Sequence, residues 1–495
     1  MNLQYKSTRN PSVEVTASQA ILKGLADDGG LFVPEKIPAL ALSLEELKGL
    51  SYQETAFAVM KEFLTDFTEE ELKECIRKAY DSKFDTEEIA PLVKVDDTYY
   101  LELFHGATIA FKDMALSILP YLMTTAAKKN HVDKEIVILA ATSGDTGKAA
   151  MAGFADVEGT RIIVFYPKGG VSKVQELQMV TQRGKNVDVV AIHGNFDDAQ
   201  RGVKEMFGSQ ALKEELAADG YQFSSANSIN IGRLVPQIVY YVYAYGKLLE
   251  NGEIESGENI NVVVPTGNFG NILAACYAKQ MGIPIHKLIC ASNENKVLFD
   301  FFRTGTYDKN REFLLTTSPS MDILVSSNLE RLIYQISGCD CEKDAELMGL
   351  LNQKGKYTIT PAMREHLQDF DAGYASEQET ADMIRKIYDR TGYVIDTHTA
   401  VAAYVCEDYK TRTKDETKCV IASTASPYKF VKSVMQAIGQ ADGEKDELKL
   451  LGNLEKVSKV EMPKAICDIL DAEVLHTREC DADKMEEEVK KILGL

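Results

Sequence analysis

The stretch Ile136-Val137-Ile138-Leu139-Ala140-Ala141-Thr142-Ser143-Gly144-Asp145-Thr146-Gly147 reads as a buried strand, a glycine-containing turn and the opening of a helix. Its apolar positions run on without alternating, which is the pattern of a strand covered on both faces in a parallel sheet flanked by helices. Four further runs repeat it: Arg161 to Phe165, Val187 to Ile192, Ile260 to Val264 and Lys418 to Ala422. Turns rich in Gly or Ser and then helical periods follow them, so the fold class is α/β with parallel sheets. In such sheets ligands collect beyond the carboxyl ends of the strands, and the chemistry is expected in the turns that leave those ends.

The rest of the chain is organised around that core. Residues 1–95 are rich in helical signals, with Ser43-Leu44-Glu45-Glu46 resembling a capping box and Thr68-Glu69-Glu70-Glu71 opening an amphipathic stretch towards Tyr80, and they predict a mostly helical N-terminal unit. The core spans 96–440, with a more polar, helical stretch at about 305–390 that reads as an insertion, and 441–495 reads as a small C-terminal unit behind the charged run Gly443-Glu444-Lys445-Asp446-Glu447.

Composition excludes several function classes. A length of 495 residues, 45% hydrophobic and 26% charged, fits a globular protein of two or three domains. No run approaches the roughly 18 apolar residues of a membrane helix, and Met1 to Lys6 lacks the apolar block of a signal peptide, so a cytoplasmic protein is expected. A formal charge of −20 argues against nucleic-acid and anionic-membrane partners. Nine cysteines lie scattered, and Cys339 and Cys341 have no further Cys or His at metal-ligand spacing, so reduced thiols and no metal are expected.

Four turns carry candidate chemistry. The first, His105-Gly106-Ala107-Thr108-Ile109-Ala110-Phe111-Lys112-Asp113, sets a lysine among apolar neighbours, which favours the neutral, nucleophilic amine, although a lone lysine at a helix start is usually a solvated surface residue. The second, Thr142 to Gly147, offers backbone N–H groups and hydroxyls at a helix start, suited to a carboxylate or phosphate, although Ser143 or Asp145 would equally cap the helix. The third, Pro265-Thr266-Gly267-Asn268-Phe269-Gly270-Asn271, has two glycines and no lysine, so it is an anion-holding turn of backbone dipoles and not a P-loop. In the fourth, Ala422-Ser423-Thr424-Ala425-Ser426-Pro427, a threonine hydroxyl faces the same crevice. Each turn alone has a plain chain-reversing reading; all four on one side of the sheet converge on one cleft.

As a set, H-G-x-T-x-x-F-K-D, S-G-D-T-G, G-N-F-G-N and S-T-A resemble the threonine synthase family. The likeness extends to Tyr5-Lys6-Ser7-Thr8-Arg9-Asn10, to Gly29-Gly30-Leu31-Phe32-Val33-Pro34 and to Tyr166 to Ser172. It implies two α/β lobes of the tryptophan synthase β-like fold, pyridoxal 5'-phosphate as cofactor and O-phospho-L-homoserine as substrate. By resemblance Lys112 forms the Schiff base, Gly267, Asn268, Phe269, Gly270 and Asn271 hold the cofactor phosphate, and Thr424 faces the pyridine nitrogen. The substrate carboxylate is expected on Thr142, Ser143, Asp145 and Thr146, and the substrate phosphate on Asn230 and Arg233, placed at i, i+3 of one helical face, with Lys168, Lys173 and Arg9 as weaker partners. His105 and His398 are expected to pack or cap. Ala107, Thr397 and Ser426 stand where the family usually has proline, proline and histidine. The chain is expected to act as a monomer or homodimer. A dehydratase or other lyase on the same scaffold, and a non-catalytic phospho-ligand sensor, are the competing readings.

Overall fold

The computed structural model describes residues 2–142, 145–171, 173–441, 443–444 and 446–495. Two sheets dominate it. In the first, Phe370–Tyr374, Ile285–Ser292, Ile260–Pro265, Cys419–Ser423 and Thr98–Glu102 run parallel in that spatial order, and Leu92–Val95 closes the edge as an antiparallel hairpin partner. In the second, Arg478–Asp481, Val187–His193, Thr160–Pro167, Glu135–Ala141 and Tyr221–Ser224 are all parallel.

The continuous apolar runs are explained by what lies on each side. Successive strand residues point to opposite faces. Val262, Val264, Ile136, Ile138, Ile162 and Val164 enter one large core shared by both sheets. Their neighbours Val263 and Ile421 enter a second core, and Val137, Leu139, Ile163 and Phe165 a third. The shared core is filled by the helix Ile231–Glu250, which buries 18 of its 20 residues and is apolar around its circumference, as a helix enclosed on all sides must be.

The terminal segments join these cores. Tyr5, Ile21, Phe32 and Phe63 lie in the shared core, Leu450, Leu454 and Ile466 in the second and Val489 in the third, so residues 446–495 have no separate apolar centre. The N-terminal region holds helices Ala17–Lys23, Tyr52–Phe63 and Glu69–Ala79, but also an antiparallel sheet of Tyr5–Ser7, Glu14–Val15 and Phe32–Pro34. The amphipathic helix opened by Thr68 is there and starts with a capping box to Glu71, whereas Ser43 and Glu46, where a capping box was expected, close only a short 3-10 turn. The polar stretch at 305–390 is not wholly helical: Thr306–Asp308 pairs with Lys356–Thr358, and Phe370–Tyr374 is an edge strand of the first sheet.

Helices belonging to the two sheets meet at one close contact. The helix Asp145–Phe154, which leaves the second sheet, crosses the short helix Asp113–Leu116, and a Cβ on Gly153 would lie 2.1 Å from the Leu116 carbonyl oxygen. Only glycine permits that approach, because backbone cannot rotate aside as a side chain does. Gly153→Ala is therefore expected to destabilise the fold by roughly 1–3 kcal/mol. The same change at Gly349, where a Cβ meets nothing within 4 Å, is expected to be neutral or to stabilise by up to about 1 kcal/mol. Equal melting temperatures for the two variants would refute the close-approach argument.

Candidate functional site

The turn before Asp113 folds back on itself. The Asp113 carboxylate accepts the Thr108 N–H at 2.8 Å and the Thr108 hydroxyl at 2.6 Å, and Ile109 takes φ 51° to close the loop. This loop is stitched to the end of Cys419–Ser423: Phe111 N donates to Thr424 O at 2.8 Å, Ser426 N to Ile109 O at 3.1 Å, and Ala110 bridges Ala425. Lys112 and Thr424 thus leave one backbone ladder together. On the other side His105 is pinned by Asp85 at 2.6 Å and Glu102 at 2.9 Å.

The Lys112 amine, its side chain 13% exposed, lies 3.1 Å from Ser320 Oγ and 3.5 Å from Asp145 Oδ2. Burial pushes it below the ordinary lysine value; Asp145 opposes, while Lys429 and Arg233 reinforce the fall. Asp145 is the carboxylate these cations share. Burial would raise it, but the charges of Lys429 and Lys112 outweigh that and hold it well below the usual carboxylate range. Lys429, fully buried, bonds Asp145 Oδ1 at 3.1 Å and the Thr108 carbonyl at 2.9 Å, tying the two loops together. Lys148 is a rival amine: burial, with Asp113 opposing and Lys429 assisting, pushes it down to about 8. It stands within the helix Asp145–Phe154 and its Nζ bonds Gln182. Geometry favours Lys112, which stands where strand ends and loops from both sheets meet.

The second loop holds Thr142, buried, whose hydroxyl accepts the Gly147 N–H at 3.0 Å, then Asp145 and the half-buried Thr146 at the helix start. Ser143 lies outside the described residues. In the third loop Phe269 adopts φ 65° and the helix Gly270–Gln280 begins at once. Gly267 abuts the Ser320 carbonyl, which a Cβ would approach to 2.4 Å. Asn268 is exposed, and its carbonyl accepts the Asn328 N–H at 3.0 Å and side chain at 3.1 Å. Asn271 accepts the hydroxyls of Tyr240 at 2.7 Å and Tyr241 at 2.5 Å.

Asn230 and Arg233 differ in what they have left to offer a ligand. Asn230 caps the helix Ile231–Glu250 and its amide is spent on Ile21 O, Ser225 O and Gly232 N. Among the described residues Arg233, pushed down to about 10 by burial with Tyr240 opposing, bonds only the Ala226 carbonyl, and its buried Nε has no partner. Arg9, Lys168 and Lys173 pair with Glu330, Glu479 and Glu176. Sequence reasoning missed Ser320 and Lys429. Neither belongs to a strand-end glycine turn, and only their long-range contacts reveal them. His398 is buried and bonded to Asp396 at 2.8 Å as expected of a packed residue, but it also accepts the Ser320 N–H at 3.1 Å.

Comparison with known proteins decides the family. Residues 4–80 match the family described as "Threonine synthase N terminus", 84–424 "Pyridoxal-phosphate dependent enzyme" and 399–490 "Threonine synthase, C-terminal". Threonine synthase of Saccharomyces cerevisiae is 35% identical over 92% of this chain and 94% of its own length. The chain belongs to the threonine synthase family. Human threonine synthase-like 1 is 41% identical over 85% of this chain, which spans 58% of that protein's length. A crystal structure of pyridoxal-phosphate-bound threonine synthase from Brucella melitensis superimposes with a TM-score of 0.88 at 34% identity, covering 99% of both chains.

The cofactor of this threonine synthase family member is pyridoxal phosphate, and its residues fit that group. A neutral-leaning lysine suits an aldehyde. The glycine-lined start of Gly270–Gln280 suits a phosphate, since the first N–H groups of a helix have no intrahelical partner. Asn271 Nδ2 and Arg233 Nε are buried donors left unspent among the described residues.

The pin on the Lys112 loop has a pH signature. Burial opposes protonation of His105, but hydrogen bonds and charge from Asp85 and Glu102 raise it to about 9, above an unfolded value of about 6.5. The resulting stabilisation, on the order of 2 kcal/mol, is complete below about pH 6.5 and is lost as pH rises through about 9. Denaturation of the natural protein and His105→Gln is expected to show a stability gap at about pH 6 that shrinks by about pH 10. A gap independent of pH would contradict the charged pin.

Proposed function

We propose that this protein is a threonine synthase, converting O-phospho-L-homoserine and water into L-threonine and inorganic phosphate. It would act as a carbon–oxygen lyase in the cytoplasm, as a monomer or homodimer. The observation that carries the reading is the Lys112 amine, sheltered from water beside a permanently ionised Asp145 and ringed by cations suited to an anionic substrate. Nine free cysteines agree with a reducing compartment. The division into an N-terminal unit 1–95, a core 96–440 and a C-terminal unit 441–495 belongs to the same proposal, supported by family matches that change near residues 80 and 424.

Pyridoxal phosphate, when bound, supplies the electron sink that makes protons next to the substrate amine removable. Lys112 would hold its aldehyde carbon and, once released, act as the base at the substrate α-carbon. Gly267, Asn268, Phe269, Gly270 and Asn271 would take the cofactor phosphate through backbone donors, and the Thr424 hydroxyl would face the ring nitrogen. The substrate carboxylate would rest on N–H groups of the loop from Thr142 and Ser143 to Thr146, because Asp145 itself is anionic and already engaged by Lys112 and Lys429. Arg233, with an unspent buried Nε, is the better candidate for the substrate phosphate, and Asn230 enters as the cap that aims its helix.

The test compares phosphate release from O-phospho-L-homoserine with ammonia release from threonine. The expected result is phosphate release as the main activity, with a visible absorbance band on the purified protein, and loss of both in Lys112→Ala. Ammonia release as the main activity would favour a dehydratase. A colourless natural protein would favour a phospho-ligand sensor.

A further inference from the structure

Ser320 comes from Pro319–Met321, a turn remote in sequence from all four strand-end loops, yet it touches three of the elements that build the site. Its hydroxyl lies 3.1 Å from Lys112 Nζ and 3.1 Å from Asp145 Oδ2, making it a closer partner of the amine than Asp145 at 3.5 Å. Its carbonyl abuts Gly267 of the third loop, and its N–H is taken by His398 Nε2 at 3.1 Å. The turn is fixed from behind. Asp322 accepts the Thr316 N–H at 3.0 Å and hydroxyl at 2.7 Å, and the side chains of Asn293 and Asn295 at 2.8 and 2.9 Å, while the Thr397 hydroxyl holds the Thr317 carbonyl at 2.7 Å.

Hydrogen-bond polarity follows from donor counts. A hydroxyl has one proton and two lone pairs. Asp145 only accepts, so the Ser320 proton points to Asp145 Oδ2 and Ser320 offers the Lys112 amine a lone pair. One Lys112 N–H is thereby fixed, and the lone pair of the neutral amine is turned away from Ser320. His398 is held in one tautomer for a related reason. Its Nδ1 faces Asp396 Oδ2, which only accepts, so Nδ1 carries the proton and Nε2 is free to accept the Ser320 N–H.

We propose that Ser320 is a further catalytic residue, orienting the Lys112 amine through a hydroxyl polarised by Asp145, and that His398, held by Asp396, is the positioning residue for Ser320. The inference rests on Lys112 being the cofactor lysine. No proton is passed on through Ser320: when Lys112 takes a proton from substrate carbon, a C–H bond breaks, an N–H bond forms, and Ser320 continues to accept from the resulting ammonium.

The test uses the holoenzyme with Ser320→Ala and Ser320→Cys, the second keeping the volume while weakening the hydrogen bond. The visible band is expected to persist in both, with kcat reduced roughly 10- to 100-fold and KM nearly unchanged. Removing a partner that favours the charged amine lowers its pKa, and that amine is free only once substrate is bound, so the acid limb of kcat is expected to move to lower pH. Ser320→Thr, which keeps a hydroxyl, is expected to recover most of the turnover, and His398→Gln, which keeps an acceptor, more than His398→Ala. Natural turnover and an unmoved acid limb in Ser320→Ala or Ser320→Cys would overturn the proposal, as would loss of the band in Ser320→Cys, which would mark Ser320 as structural. A natural protein without a band would overturn the reading of Lys112 and this one with it.

Discussion

A lysine amine withdrawn from water next to one buried carboxylate is the constraint on which the remaining structure depends. Desolvation disfavours both charged forms, and a carboxylate alone among apolar groups would protonate. Here the imbalance is resolved by numbers. Lys429 and Lys112 together keep Asp145 ionised, and burial still holds the Lys112 amine below the ordinary lysine value. Breaking such a buried ionic arrangement by removing one member costs about 3–5 kcal/mol in general, which is why both loops must be held at their mutual distance by something other than the charges.

That holding is done by backbone. The Lys112 loop is laced to Thr424 and Ser426, Gly153 lets the Asp145 helix approach the Lys112 helix, and Lys429 spans Thr108 and Asp145. The turn from Gly267 to Asn271 has a separate brace. Arg331, fully buried, donates to Phe32 O at 3.0 Å, to Ile229 O at 2.6 Å and to Asn328, and Asn328 in turn grips the Asn268 carbonyl. The Arg331 guanidinium thus links the N-terminal segment to the site, its planar fork suiting three fixed acceptors.

Much of this was legible in the sequence. The runs at 136–139, 161–165, 187–192, 260–264 and 418–422 all became parallel strands, because strands buried on two faces carry apolar residues at most successive positions. Strands with a weaker apolar run escaped notice. Ile285–Ser292 carries His286 and Lys287 near its start, Phe370–Tyr374 carries Asp371 and Gly373 at a sheet edge, and Arg478–Asp481 is a charged edge strand identifiable only by its pairing with Val187–His193. The site divided along the same line. Lys112, Thr424 and the 267–271 turn announce themselves through local glycine, hydroxyl and apolar context. Ser320 and Lys429 have no such context, since their meaning comes from partners 208 and 321 residues away.

Three buried or nearly buried lysines, Lys112, Lys148 and Lys429, stand in or beside this crevice, so the most direct measurement is which one carries the cofactor. Borohydride reduction of the purified protein followed by peptide mapping reads this without reference to turnover. The pyridoxyl group is expected on the peptide containing Lys112 alone. Its appearance on Lys148 or Lys429 would contradict the account of the site from its first step.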